Sequence, residues 1–493
     1  MEKSISRNII FKFILNIFNL VVPVLIGPYV LRIIGPDING TINYAQTLYS
    51  YFFIFAGFGV YQYGLREISR VKNDKHQLDS LFTSLFLVTL VTTLITSITY
   101  LIYIYRGYNG TDMYTISIIL SFNFFANIFY TEWVNEALEN FDFITIKTVI
   151  IRLIYIIAIF IFVRVSQDFK QYVVLLVLST FANNITSFIY IKRKVKFSFN
   201  NIKILPHLKP LFLVVILSNA NVLYTQLDRV MLGSYYTVTT VGFYSVAQNI
   251  SGIINSLLLT VITVSIPRLS NLLTHKDNKT NYLILLNKVS KIYYLILFPA
   301  CIGLALLARE IILLYGGAEF IDSYPILIVF ALYTISLGYE SILGTQVLYL
   351  NQKEHIQVKF IFICGFINLF LNSLLVWFNQ FNGVTAIATT LISNILLIIL
   401  EYYYINHQLN LNIKIFSWDK IKYGVYSLIF IPVTILIRMY AFPNLSLSMQ
   451  ELILYSIVVI GVNGIIYLLC LFLSKDEILF NIVTLIKSKI FDH

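Results

Sequence analysis

Runs of about twenty apolar residues recur along this chain, and no other feature limits its fold as much. A helix that crosses a bilayer core needs roughly twenty such residues. Fourteen runs reach that length, near 8–34, 41–65, 80–105, 113–136, 144–166, 171–191, 209–233, 239–266, 286–308, 325–350, 357–378, 383–405, 421–441 and 450–473. Tyr, Asn and Ser are scattered through them without the strict alternation of a membrane barrel, so an all-α integral membrane fold is expected. Composition agrees: 58% of residues are hydrophobic and 12% charged, where a soluble domain carries about 25% charged residues. A soluble or a disordered chain is therefore excluded. The first run is too long for a cleaved signal peptide, contains Pro23 and Pro28, and lacks a small-residue cleavage site. Cys301, Cys364 and Cys470 lie in apolar runs and offer neither a disulfide framework nor a CxxC site.

The net charge of +11 has a topological reading. If the N-terminus is cytoplasmic, 27 of the 35 Lys and Arg fall on cytoplasmic segments, Lys147 among them. Six lie at outer ends or loops (Arg32, Arg106, Arg164, Lys170, Arg309, Arg438), and Arg152 and Arg229 lie inside runs. That asymmetry follows the positive-inside rule over strictly alternating loops. It predicts an even number of crossings and two cytoplasmic termini, and no nucleic-acid partner is assigned. All six His fall on cytoplasmic segments of this map, so no metal site is expected at mid-membrane. No GxxxxGK[ST], HExxH or GxSxG occurs, and the loops are too short for a catalytic domain. No cofactor is expected, and the chain is not read as an enzyme.

Residues 40–70 and 242–272 share a weak repeat. Gly40, Ala45, Gln46 and Arg66 correspond to Gly242, Ala247, Gln248 and Arg268 at a constant offset of 202. Six runs separate the copies, so the repeat is parallel, with its axis along the membrane normal. The expected architecture is two pseudo-symmetric six-helix lobes facing a central cavity, over residues 1–200 and 201–410. Residues 411–493 then hold two extra helices and a cytoplasmic tail.

Ionisable groups at membrane depth cost about 2.5–3.5 kcal/mol each on insertion scales and tend to line cavities. Arg152 is the sharpest, flanked by Ile150, Ile151, Leu153 and Ile154. A guanidinium there can hold an anion through its planar fork, or pair with a carboxylate, or snorkel. Arg32 and Arg229 are the other cationic candidates. Asp228 and Glu340 are candidates for ion coupling, and Glu401 lies near the end of the twelfth run. Glu132 and Glu136, one helical turn apart, read as a solvated face beside Lys147. Pro23, Gly27 and Pro28 should break the hydrogen-bond ladder of the first helix and make it a gating element. Asn219, Asn221, Asn368 and Asn372 read as interhelical hydrogen-bonding residues, and most aromatic residues as lipid-facing.

Several stretches together resemble the Wzx-type flippases of lipid-linked oligosaccharide repeat units, in the multidrug/oligosaccharidyl-lipid/polysaccharide superfamily. Gly27-Pro28-Tyr29-Val30-Leu31-Arg32-Ile33-Ile34-Gly35 resembles the family's PYxxRxLG element, and Gly64-Leu65-Arg66-Glu67-Ile68 its GxREI element. Asn135-Glu136-Ala137-Leu138-Glu139 is similar to QGLE, with Glu136 and Ala137 departing from Gln and Gly. Leu227-Asp228-Arg229-Val230-Met231-Leu232-Gly233, Pro267-Arg268-Leu269-Ser270 and Gly344-Thr345-Gln346 are similar to second-lobe elements. The resemblance implies a fourteen-helix, alternating-access transporter of the bacterial cytoplasmic membrane. Its substrate would be an undecaprenyl-pyrophosphate-linked oligosaccharide, flipped from the inner to the outer leaflet for capsule, exopolysaccharide or O-antigen synthesis. It also implies membrane lipid, a proton or sodium ion, and polysaccharide polymerase or assembly proteins as partners. Arg32, Arg152 and Arg229 would then face the pyrophosphate. The rivals are a multidrug/cation antiporter of the same superfamily, a lipid II flippase, and a membrane glycosyltransferase or polysaccharide polymerase, which would need a large outer loop.

Overall fold

Backbone amides find no water in a bilayer core, so apolar runs satisfy them internally as helices. The computed structural model describes residues 5–200, 202–273, 279–445, 448–480 and 484, with the backbone alone for 5–10, 12–14 and 216–225. Among the described residues it is helical, without a strand. Lys3, His275, Lys276, Lys487, Lys489 and His493, counted above as cytoplasmic, lie outside them, as do the side chains of Asn219 and Asn221.

The elements in chain order are α1 (Ile5–Gly57), α2 (Val60–Val71), α3 (Lys75–Tyr108), α4 (Asp112–Ile128), α5 (Glu132–Ala137), α6 (Phe141–Phe162), α7 (Phe169–Lys192), α8 (Leu205–Thr225), α9 (Leu227–Tyr235) and α10 (Val238–Leu273). They continue as α11 (Lys279–Leu306), α12 (Ala308–Tyr315), α13 (Ser323–Glu340), a π-helical segment (Ser341–Tyr349), α14 (Glu354–Trp377), α15 (Gly383–His407), α16 (Trp418–Leu428), α17 (Phe430–Tyr440) and α18 (Met449–Leu473). The chain is a multi-pass membrane protein: twelve helices among the described residues are long and apolar enough to cross a bilayer.

Twelve differs from the fourteen runs for two local reasons. The first candidate span, Leu15–Val71, has 57 residues. At about 1.5 Å per residue it is far longer than a bilayer core of roughly 30 Å, and it contains two of the runs. The run at 209–233 falls on α8 and α9 and includes residues 216–225, described by backbone alone, so it is not among the twelve.

The bend in α1 is a correction to the sequence reading. Pro23, Gly27 and Pro28 stay within regular helix, and the non-helical residue is Gly35, with φ 70° and ψ 174°. Pro36 disfavours α geometry at the preceding position, and a glycine there adopts positive φ without a steric penalty. Pro23 and Pro28 each remove only one donor, which an embedded helix absorbs.

The chain packs as two compact units, Met1–Gly242 and Phe243–His493. The sequence-symmetry boundaries at 200 and 410 describe a different property from packing. In the first unit α1 packs against α3, α4 and α6, α4 against α7, and α2 against α5. A core of Val60, Tyr63, Phe82, Leu85, Trp133, Val134 and Ile191 joins these helices at one end. The two glycines matched by the repeat touch here: a Cβ on Gly40 would lie 2.9 Å from Gly242 N, and one on Gly242 2.3 Å from Pro36 O. Asp37 accepts a hydrogen bond from Thr239 Oγ1 at 2.5 Å beside that contact.

In the second unit α11 packs against α13 and α16, and α15 against α13 and α14. Tyr282, Tyr293, Tyr294, Leu343, Leu348 and Tyr423 are among its core residues. Asn368 Nδ2 donates to Thr390 Oγ1 at 3.0 Å, and Asn394 Nδ2 to Ser336 Oγ at 2.9 Å. These are interhelical bonds, worth about 1–2 kcal/mol each or less inside a membrane. α18 packs against α12 and α17. Just past it, Asp476 pairs with Lys422 and accepts from Tyr423 Oη at 3.0 Å.

Candidate functional site

The first unit contains a cavity of about 450 Å³ among its membrane-spanning helices, lined by apolar and neutral polar residues. Its wall comes from the break between α1 and α2 (Gly57, Gly59, Val60, Tyr61, Gln62), from Ser50, Phe53 and Ile54 on α1, from Thr89 on α3, from Asn127 on α4, from Tyr130 just past it, and from Trp133 and Gln226. None of these side chains is charged. The amides are positioned by neighbours: Asn127 Nδ2 donates to Thr93 Oγ1 at 3.0 Å, and Gln226 Oε1 accepts from Thr47 Oγ1 at 3.4 Å.

The aromatic part of the wall is equally fixed. Tyr61 and Tyr130 stack with ring centroids 6.1 Å apart and planes 27° apart. Tyr61 Oη donates to Glu136 Oε1 at 2.9 Å, which holds the ring from behind. Trp133 donates its Nε1–H to Tyr130 O at 3.1 Å and rests on Phe82. A Cβ on Gly64 would sit 2.5 Å from the indole Cε3, so the glycine of the GxREI-like stretch seats this ring. Flat ring faces beside neutral amides and a hydroxyl suit an uncharged polyhydroxyl ligand: amides bond hydroxyls, and rings pack against C–H surface.

Beneath the cavity lies an ion pair that contradicts the solvated-face reading. Lys147 belongs to α6 and its side chain is 2% exposed. Its Nζ donates to Glu132 Oε2 at 2.9 Å, to Ser187 Oγ at 2.6 Å and to Asn183 O at 3.3 Å. Ser187 Oγ in turn donates to Glu132 Oε2 at 2.6 Å. Three acceptors fill the three donors of the ammonium. Lys147 is thus a buried helix residue and no loop charge. The sequence signal was its position five residues before Arg152 in an apolar run.

The residues singled out in advance are dispersed. Arg32 is exposed on α1, one turn before the Gly35 bend. Arg152 is half-buried on α6, near Tyr155, and pairs with no carboxylate among the described residues. Asp228 and Arg229 are both buried in the first turn of α9, and Tyr51 is within electrostatic range of Asp228. Tyr44, packed flat on Gly233, bonds Ser234 Oγ at 3.0 Å and Tyr108 Oη at 3.1 Å on that side of α9. Of these residues none is among the described cavity-lining side chains; Gln226, two residues before Asp228, is the nearest in sequence. Pro23 is exposed, and Gly27 and Pro28 are half-buried on an unbroken helix. Glu340 lies in the second unit and accepts from Gln357 Nε2 at 2.8 Å. Among the described residues no group of His, Cys, Asp and Glu could hold a metal ion.

A family model described as polysaccharide biosynthesis protein matches residues 5–273. The chain is 25% identical over 384 residues to a protein named "Putative O-antigen transporter" from Escherichia coli (strain K12), covering 75% of this chain and 89% of that protein. It is 23% identical over 372 residues to one of the same name from Shigella dysenteriae, covering 73% of this chain and 90% of that protein. A solved structure titled "Lipid II flippase MurJ, inward closed conformation" aligns with a TM-score of 0.68 over 93% of this chain and 98% of that one. At 18% identity this is a likeness of fold.

Proposed function

This chain belongs to the polysaccharide biosynthesis protein family, and we propose that it is a flippase for an undecaprenyl-pyrophosphate-linked oligosaccharide repeat unit. It would act in the bacterial cytoplasmic membrane, with both termini inside, and carry the unit outward by alternating access for capsule, exopolysaccharide or O-antigen synthesis. The observation that carries this reading is the neutral, aromatic- and amide-lined cavity within the spanning helices of the first unit. A sugar headgroup crossing a membrane must exchange water for hydroxyl-compatible partners, and Tyr61, Gln62, Asn127, Tyr130, Trp133 and Gln226 supply them. A multidrug/cation antiporter would place carboxylates in such a wall, and none is among the described lining residues. The relatives named as O-antigen transporters support the same substrate class.

The pyrophosphate would be met by Arg152, Arg229 and Arg32, whose guanidinium groups are suited to phosphate oxygens. Arg152 is the strongest of the three, because it is half-buried without a carboxylate partner among the described residues. Asp228 and Glu340 would serve ion coupling, and the α1 segment holding Pro23, Gly27 and Pro28 would flex about Gly35. The protein performs no bond chemistry in this reading.

Deletion followed by lipid analysis tests it. A flippase defect leaves undecaprenyl-linked repeat units accumulated in the cell and surface polysaccharide lost. Drug sensitivity with normal polysaccharide would instead establish the antiporter. Arg152→Ala and Arg152→Lys, compared at equal protein level, should both lower polymer output; unchanged output in both removes Arg152 from the substrate path.

A further inference from the structure

The second unit contains a carboxylate pair that meets no countercharge among the described residues. Glu401, on α15, is 0% exposed, and neither Oε1 nor Oε2 has a hydrogen-bond partner. It lies within electrostatic range of Glu340, at the end of α13. No Lys or Arg pairs with either carboxylate among the described residues. Tyr293 of α11, also 0% exposed, lies within range of Glu340, and its Oη has no partner. From α14 come Cys364, within range of Glu401, and the amide of Gln357, which donates to Glu340 Oε1 at 2.8 Å. The ionisable side chain of the π segment, Tyr349, is exposed.

The backbone here is built around that contact. A Cβ on Gly344 would meet Gln357 Nε2 at 2.0 Å and Glu340 Oε1 at 2.9 Å. The glycine of the GTQ stretch therefore admits the amide to Glu340. Gly344 lies in the nine-residue π segment, a geometry that recurs at functional sites. Tyr282 Oη donates to Gln346 O at 2.8 Å in the same segment.

We propose that Glu401 and Glu340 form a proton-binding site, with one proton held on Glu401 while Glu340 remains the acceptor of Gln357. Two ionised carboxylates within electrostatic range, with no cation paired to either among the described residues, would repel in a medium that solvates neither. A partnerless carboxyl buried among apolar residues is carried most cheaply as the neutral acid. Its proton can leave only when water or the Tyr293 hydroxyl reaches it, which requires the packing of α11, α13 and α15 to open. The site thus ties proton exchange to a rearrangement of the second unit. A role in driving transport rests on the flippase reading; the proton site itself does not.

Infrared spectroscopy of the purified full-length chain in nanodiscs tests it, by the carbonyl band of a neutral carboxylic acid at neutral pH. The band is expected in the wild type, lost in Glu401→Gln, retained in Glu340→Gln, and unchanged when potassium is replaced by sodium. Absence of the band in the wild type, its survival in Glu401→Gln, or its collapse on adding sodium would overturn the proposal, the last marking a sodium site. Should Glu401→Gln fail to fold, the wild-type band, its response to sodium and Glu340→Gln still decide the matter. In cells, Glu401→Gln should lower surface polymer and raise lipid-linked precursor. A band that behaves as stated while neither quantity changes would leave the proton site standing and count against the flippase reading.

Discussion

The two units hold acidic groups in opposite ways. In the first, Glu132 meets Lys147, and Ser187 and the Asn183 carbonyl complete the ammonium's bonds. In the second, Glu401 has another carboxylate as its electrostatic neighbour and no hydrogen-bond partner. The first arrangement keeps charge and fixes geometry, beneath a cavity whose walls must stay in place. The second avoids charge by taking a proton from solvent, and so stays responsive to it. A buried charge that is fully paired is a strut, whereas one left for a proton can be switched.

The comparison fails most visibly if the pair in the first unit is not a strut. Glu132→Ala strands the Lys147 ammonium and should cost about 3–5 kcal/mol, read as a lower unfolding temperature in detergent. Lys147→Met combined with Glu132→Leu should recover most of that loss, because no charge is left unpaired. Gly64→Ala comes next. It drives a methyl into the Trp133 ring and should cost about 1–3 kcal/mol, with changed tryptophan fluorescence and reduced polymer output. Glu401→Gln should cost only about 1 kcal/mol or less, since one neutral group replaces another of the same shape. A loss as large as that of Glu132→Ala would show that Glu401 is ionised and erase the contrast.

The smallest effect concerns Asp476, outside the spans. Burial pushes its carboxyl up, but bonds from Lys422, Leu479 N and Tyr423 outweigh burial and hold it below the usual carboxylate range. A group lowered on folding stabilises above its unfolded value, about 4, and loses that contribution as pH falls through its folded value. Wild-type stability should therefore decline at acid pH more steeply than that of Asp476→Asn, as measured by thermal unfolding across that range.

The all-α membrane fold was legible because the apolar runs are long and their period plain. The Asn368 and Asn372 hydrogen bonds were legible too, since an amide at membrane depth has few other uses. The bend was misplaced because prolines at 23 and 28 are louder signals than Gly35-Pro36, and a helix in lipid tolerates the former. The cavity was missed because its described lining residues come from separate stretches and are all neutral, so no charge marked them. Lys147 was taken for a loop cation because a lysine near a helix start looks the same in sequence whether or not an acid waits across the interface.

The sequence alone determined that this chain spans a membrane many times as helices, since hydrocarbon permits little else for such runs. It also singled out most of the ionisable residues within those runs, Lys147 excepted. Only the tertiary structure decided which of them are paired. Whether Glu132 finds Lys147, or Glu401 finds another acid, depends on which helix faces set side chains from distant segments within a few ångströms, and that distance fixes the cost of charge in a medium of low polarity.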